Sequence, residues 1–98
     1  MSGYVITPAA DADLEEIWQY VALNSGEARA DFVEDELHAA MQRLAEMPGI
    51  GHLRIDLADE ALRFFSVQRF LIVYRPEFRP VQIIRVLHGA RDVQAILE

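Results

Sequence analysis

Apolar residues recur with a helical period in the first half of this chain and alternate in strand-like runs in the second half. Two segments, from Pro8 to about Leu23 and from Glu27 to Met47, repeat apolar residues at spacings of three and four. This periodicity predicts two amphipathic helices. Since only a few polar or small residues, 24–26, separate them, the helices should form an antiparallel hairpin with a tight loop.

Each predicted helix has a start signal. Thr7 can cap the first helix, Pro8 suits its first turn, and Ser25 can cap the second helix. Asp13 lies where the helix dipole favours negative charge, so dipole compensation and solubility are its expected roles. The residues expected to face the core are Leu14, Ile17, Trp18 and Val21 in the first helix, and Ala30, Val33, Leu37, Ala40, Met41, Leu44 and Met47 in the second. Phe32 lies off this stripe and is expected to cover the edge of the core rather than form a second apolar patch.

Short β-branched and aromatic runs predict the strands. Tyr4–Thr7 is the first of them. The other three follow the helices: Leu62–Val67, Phe70–Arg75 and Val81–His88. The turns between these three are so short that only antiparallel neighbours are possible. With a last helical turn capped by Asp92, the prediction is an α+β fold of order β-α-α-β-β-β, with the N-terminal strand and the hairpin packed on a small antiparallel sheet, in a single domain over residues 1–98.

Neither face of the predicted sheet is polar. Strict alternation places Phe70, Ile72 and Tyr74 on one face of the sheet and Leu71, Val73 and Arg75 on the other. In the last strand, one face carries Val81, Ile83, Arg85 and Leu87, and the other carries Gln82, Ile84, Val86 and His88. The helical hairpin can cover only one face of the sheet, so the apolar second face predicts that another segment or molecule packs on it. The candidates are the C-terminal segment, a second copy or another protein, and a partner protein is favoured because so short a chain has little left to cover the sheet.

Composition and charge remove several classes of function. The chain has no Cys and no Lys, which excludes disulfide scaffolds, thiol nucleophiles and lysine-based chemistry. The net charge of -7 opposes direct nucleic-acid binding. The charge is uneven, because residues 1–53 carry ten acidic and two basic residues, whereas residues 54–98 carry six and seven. No segment is apolar and long enough to span a membrane, and the cytoplasm is the expected location.

The side chains that could take part in catalysis or anion binding lie in the second half of the chain. They are Arg63, Arg69, Arg75, Arg85, Arg91, His88 and Tyr74. Such residues could cleave RNA, since the reaction needs a base, an acid and a cation over the phosphate. The alternative is that each arginine pairs with one of the many carboxylates. No metal or cofactor site is expected, because no pair of potential ligands has a suitable spacing.

The order of several short motifs resembles the ParE branch of the RelE/ParE toxin superfamily, which supplies the toxins of bacterial toxin–antitoxin (plasmid stabilisation) pairs. The motifs are Thr7-Pro8-Ala9, Asp13-Leu14-Glu15-Glu16-Ile17 with Tyr20, Leu44-Ala45, Pro48-Gly49-Ile50-Gly51, Leu62-Arg63, Ile72-Val73-Tyr74-Arg75 and Ile83-Ile84-Arg85-Val86-Leu87-His88-Gly89-Ala90-Arg91-Asp92. They extend over nearly the whole chain. The family's fold has the same β-α-α-β-β-β order as the prediction above.

The resemblance implies a growth-inhibiting toxin that binds and poisons DNA gyrase without a catalytic centre of its own. It also implies neutralisation by a ParD-like antitoxin that wraps around the toxin in a hetero-oligomer. The expected antitoxin contacts are Trp18, Phe32, Leu71 and Val73, and the expected target contacts are Arg63, Arg75, Arg85, His88 and Arg91.

The alternative within the superfamily is a ribosome-dependent mRNA endonuclease of the RelE kind. In that branch the resemblance implies an arginine just before Ile72-Val73-Tyr74 and a tyrosine near the C-terminus. This chain has Leu71 and Leu97 at these positions. Arg91 alone fits the nuclease pattern, so a binding inhibitor is the favoured prediction.

Overall fold

The computed structural model describes residues 3–52 and 62–88. The elements in chain order are β1 (Tyr4–Ile6), α1 (Pro8–Ser25), α2 (Glu27–Glu46), a 3-10 turn (Pro48–Ile50), β2 (Arg63–Val67), β3 (Phe70–Arg75) and β4 (Val81–Leu87). The predicted α+β class and element order are confirmed. The predicted C-terminal turn at Asp92 lies outside the described residues. In the described ranges, neither helix is apolar enough over a sufficient length to cross a membrane.

The four strands form one sheet in the order β1-β4-β3-β2. The antiparallel pairing of β2 with β3 and of β3 with β4 is confirmed. β1, however, joins the sheet parallel to β4, with Tyr4 opposite Val81 and Ile6 opposite Ile83. The sheet is therefore mixed and not purely antiparallel, which is possible because the connection from β1 to β4 contains the whole hairpin and need not be a tight turn.

Thr7 caps α1 as predicted, since its hydroxyl oxygen accepts a hydrogen bond from the Ala10 N–H at 3.2 Å. The prediction that Ser25 caps α2 is wrong. Ser25 is the last residue of α1, and Gly26 alone links the helices with a φ of 94°. Glycine adopts this left-handed conformation without steric cost, so one residue suffices for the reversal.

The main core lies between the helical hairpin and one face of the sheet. Most predicted helix positions are buried there: Leu14, Ile17, Val21, Ala30, Val33, Leu37, Ala40, Met41 and Leu44. Trp18 is half-buried at the margin of this core. Met47 is 60% exposed, so its predicted burial is wrong. Its φ of -135° shows that the chain has already left the helix at this residue, and the helical stripe no longer directs the side chain inward.

A β-bulge interrupts the predicted alternation in β4. Val73 lies opposite Arg85, but the next residue, Tyr74, lies opposite Ile83, so that Ile84 is an extra residue in the pairing. Val86 consequently belongs to the helix-side core together with Ile83. The prediction that Val86 faces away from Ile83 is therefore wrong, because the extra residue shifts every side chain that follows it by one position.

The second face of the sheet carries a smaller apolar cluster. Its buried members are Leu62, Phe64, Val73 and Leu87, and Leu71 and Ile84 pack against them half-buried. All four buried members are at most 8% exposed in the single chain. This face is apolar as predicted, but no partner protein is needed to remove these four side chains from water.

Candidate functional site

The start of α1 covers the edge of β4 where β1 ends. The Thr7 N–H donates to the carbonyl of Ile83 at 3.1 Å, and the Thr7 hydroxyl donates to the carbonyl of Ile84 at 3.0 Å. Six residues after Thr7, Asp13 Oδ2 accepts a hydrogen bond from the Val86 N–H at 3.0 Å. These bonds satisfy backbone groups on the β1 side of β4, where the pairing with β1 ends at Ile83 among the described residues.

The same Asp13 carboxylate binds the Arg85 guanidinium through both of its oxygens. Arg85 Nε lies 2.6 Å from Oδ2, and Arg85 Nη2 lies 2.8 Å from Oδ1. The Asp13 side chain is only 12% exposed, so the expectation that this carboxylate serves solubility is wrong. We call this contact between Thr7, Asp13 and residues 83–86 the α1–β4 seam. Arg85, expected to contact the target, holds the fold together here.

Tyr74 fixes the turn after α2. Its hydroxyl donates to the carbonyl of Pro48 at 2.7 Å and accepts from the Gly51 N–H at 2.9 Å. A Cβ at Gly51 would lie 2.3 Å from that hydroxyl oxygen, so only glycine fits there. Arg63 Nη1 donates to the Gly51 carbonyl at 3.0 Å. Burial raises the pKa of Tyr74, partly opposed by the Gly51 N–H and the charge of Arg63. The Tyr74 hydroxyl is therefore a neutral, internally bonded group.

The expected target contacts do not form one cluster. Arg63 and Arg75 belong to the same end of the sheet, whereas His88 follows β4 at the opposite end. The nearest carboxylate oxygen to Arg75 is that of Glu77, at 3.9 Å. The fifth expected contact, Arg91, lies outside the described residues. The alternative reading, in which these arginines pair within the protein, holds for Arg85.

The expected antitoxin contacts also divide between different surfaces. Val73 is 1% exposed within the second-face cluster, so its contact with an antitoxin stays a prediction that would require its neighbours to move aside. Leu71 is half-buried on the same face. Phe32 is 46% exposed beneath the Arg29 guanidinium, whose carbon lies 5.0 Å from the ring centroid. Phe32 is not among the residues that pack against the main core, so the prediction that it covers the core edge is wrong.

Trp18 lines a groove of about 510 Å³ between α1 and α2. Four carboxylates also line it: Asp11, Glu15, Asp31 and Glu34. The Trp18 indole N–H donates to Asp31 at 2.9 Å, which joins the two helices across the groove. His38 lies at one end, with its Nδ1 2.9 Å from the Tyr4 hydroxyl. We call this surface the acidic groove, and its charge follows from the acidic N-terminal half of the sequence.

A second concave surface lies at the Gly26 end of the hairpin. This cavity of about 320 Å³ is lined by residues of α1, α2, the turn between β2 and β3, and the end of β4. Its basic residues are Arg29, Arg69 and His88, and we call it the cationic cavity after its two arginines. Sequence reasoning singled out Arg69 and His88 but missed Arg29, whose position in the acidic half of the chain gave no signal that the fold would carry it next to Arg69.

Comparison with known proteins identifies relatives over nearly the whole chain. The model of the family described as "ParE toxin of type II toxin-antitoxin system, parDE" matches residues 4–93. Toxin ParE1 of Caulobacter vibrioides is 35% identical over 97 residues, which cover 99% of each chain. Toxin ParE1 of Mycobacterium tuberculosis is 34% identical over 93 residues, which cover 94% of each chain.

The fold agrees with a solved structure. A chain of the "Chromosomal ParDE TA system from P. aeruginosa" superposes with a TM-score of 0.77 at 20% identity, covering 91% of this chain and 97% of that chain. At this identity the agreement concerns the fold alone. Together with the family match and the relatives over 30% identical, it leads to one conclusion: this chain belongs to the family of ParE toxins of type II toxin–antitoxin systems.

Proposed function

We propose that this protein stops growth by binding and poisoning DNA gyrase, and that a ParD-like antitoxin neutralises it. The observation that carries the proposal is the family match over residues 4–93. The gyrase target is what the resemblance to ParE toxins implies. The toxin acts as a binding inhibitor, and its effect depends on the surface it presents to gyrase rather than on a reaction of its own.

Two of the residues that could cleave RNA, Tyr74 and Arg85, are bonded within the fold, which supports a binding inhibitor over a nuclease. A general acid or base must reach the reacting atoms through hydrogen bonds. The Tyr74 hydroxyl is 0% exposed and bonds to Pro48 and Gly51. The Arg85 guanidinium is bound to Asp13 through two hydrogen bonds. Recruiting either group to RNA would require breaking bonds that hold the fold.

The first test is pulse incorporation of labelled thymidine and labelled methionine within minutes of inducing the toxin without its antitoxin. We expect DNA synthesis to stop first while translation continues. Purified toxin should then inhibit gyrase-dependent supercoiling and accumulate cleaved DNA. Co-induction with the antitoxin is the matched control and should restore growth. Earlier loss of methionine incorporation would contradict the proposal and favour an mRNA endonuclease.

For the antitoxin, we propose that a segment with apolar and basic side chains lies in the acidic groove against Trp18. The groove offers a half-buried indole next to carboxylates, which suits such a segment by both apolar contact and charge. Phe32 is exposed on α2, and we propose that the antitoxin contacts it as well. Leu71 is half-buried on the second face of the sheet, so a contact there would use only the exposed part of its side chain.

Affinity measurements with the co-expressed antitoxin test this contact. Trp18→Ala should weaken the complex by at least tenfold, because a large aromatic anchor is lost. Phe78→Ala is the matched control, since Phe78 is 43% exposed in the turn between β3 and β4 and does not line the groove. Equal affinities of the two variants would exclude the groove as the antitoxin site without affecting the gyrase proposal.

A further inference from the structure

The cationic cavity has a charge opposite to that of the protein. Two arginines and a histidine line it, and none of the described residues in its lining is acidic. The whole chain has a net charge of -7, and the acidic groove has four carboxylates in its lining. Such a local reversal creates a positive potential that attracts anions in spite of the overall charge.

The two arginines are not neutralised inside the described part of the fold. Arg69 makes neither an ion pair nor a hydrogen bond there, and Arg29 contacts the Phe32 ring by a cation–π interaction. Arg85, by contrast, is bound by Asp13. Guanidinium groups bind phosphate through paired N–H donors, and exposed groups without a carboxylate partner keep these donors available to a ligand.

An aromatic wall lies beside these cations. The His88 ring is held between Tyr20 and Phe70, with centroid distances of 5.5 Å and 5.2 Å. Phe70 is buried, whereas Tyr20 is 47% exposed and presents its ring to the cavity. Aromatic side chains with an open face stack on the planar bases of nucleotides.

The size and polar lining of the cavity suit a small ligand. Its volume of about 320 Å³ falls at the lower end of the range for small-molecule sites, roughly 300–1,000 Å³. Asn24, Ser25 and Gln68 add amide and hydroxyl groups to the lining. Asn24 donates one N–H to the Tyr20 carbonyl at 2.7 Å, which fixes its amide and leaves its oxygen able to accept a bond from a ligand.

We propose that the cationic cavity binds a nucleoside monophosphate. The phosphate lies between Arg29 and Arg69, and the base stacks on Tyr20. A free phosphate would satisfy the cations alone, whereas a nucleotide uses both the cations and the aromatic wall. This site is separate from the acidic groove and does not depend on the gyrase proposal.

The test is a titration of the full-length ¹⁵N-labelled protein with adenosine monophosphate, followed by backbone amide shifts. We expect saturable shifts at Ser25, Arg69 and His88. Inorganic phosphate should bind at least tenfold more weakly than the nucleotide, because it does not stack on Tyr20. Adenosine should cause no saturable shift. Equal affinities for phosphate and nucleotide would overturn the assignment of a nucleotide, as would a lack of saturable shifts with any of these probes.

Matched variants locate the site. Arg29→Ser combined with Arg69→Ser should reduce nucleotide affinity by at least tenfold. Arg43→Ser is the control, because Arg43 also lies on α2 with its guanidinium over an aromatic ring, that of Phe65 at 5.6 Å, but outside the cavity. A similar loss in the control, or unchanged affinity in the double variant, would overturn the proposal. Preferential binding of a glutamate-rich peptide at the same amides would also overturn it, in favour of an acidic protein segment.

Discussion

The α1–β4 seam and the cationic cavity use the same type of side chain in opposite ways. At the seam, Arg85 is bound by both oxygens of Asp13, which also accepts the Val86 N–H. In the cavity, Arg29 and Arg69 are exposed and have no carboxylate partner among the described residues. Arginines that look equivalent in the sequence therefore differ in whether their donors are already used, and only the second kind can recognise a ligand at low cost to the fold.

Removal of the seam carboxylate should have the largest effect on stability. Asp13→Ala removes the acceptor of the Val86 N–H and the two hydrogen bonds that hold the half-buried Arg85 guanidinium, and we expect a loss of about 3 kcal/mol in the free energy of unfolding. Urea denaturation of the purified protein measures it. Asp13→Asn keeps an acceptor for the Val86 N–H and should lose about half as much. A change below about 0.5 kcal/mol in Asp13→Ala would show that the seam is no stronger than a surface ion pair.

Loss of the Tyr74 hydroxyl should have the second largest effect on the free energy of unfolding. Tyr74→Phe leaves the buried Gly51 N–H and the Pro48 carbonyl without their partner, at an expected cost of about 2 kcal/mol. Tyr20→Phe is the control, since Tyr20 is exposed, and it should stay within about 0.5 kcal/mol of the original protein. If both variants unfold at the same urea concentration, the Tyr74 hydroxyl does not anchor the turn.

The raised pKa of Tyr74 predicts that the free energy of unfolding falls at alkaline pH, by less than the loss expected for Tyr74→Phe. In the unfolded chain a tyrosine ionises at about pH 10, whereas folding keeps Tyr74 protonated to higher pH. The contribution is therefore fully present below about pH 10 and is lost as the pH rises from there through the folded pKa. Unfolding free energies at increasing pH above 9 should fall less steeply in Tyr74→Phe. A residual fall is expected from Tyr4, whose pKa burial also raises. Identical slopes in the two proteins would contradict the prediction.

The smallest effect on stability is expected in the cavity. Arg69→Ser removes an exposed side chain without an ion-pair partner among the described residues, so the free energy of unfolding should change by less than about 0.5 kcal/mol. The same denaturation experiment gives the value. A loss comparable to that of Asp13→Ala would mean that Arg69 has a structural role and would remove the contrast between the two regions.

The sequence motifs predicted most of the fold but misassigned several side chains. Helical periodicity located α1 and α2 to within a few residues, and the runs of β-branched residues located β2, β3 and β4. Alternation failed at Ile84, because a bulge depends on how two strands pair and leaves no mark on one strand alone. The sequence indicates only a helix-start role for Asp13, since its partner Arg85 lies 72 positions away and spacing along the chain gives no information about that contact.

By itself, the sequence determined the α+β class, the hairpin, the antiparallel meander and the resemblance to ParE toxins, because local periodicity, turn residues and ordered motifs are properties of neighbouring positions. Only the tertiary structure decided that Val73 is buried, that Arg85 is bound to Asp13, and that Arg29 lies with Arg69 and His88 around one cavity. These outcomes depend on which distant elements pack together. Whether a charged or apolar side chain is free to bind another molecule is therefore fixed by its neighbours in space and not by its neighbours in the chain.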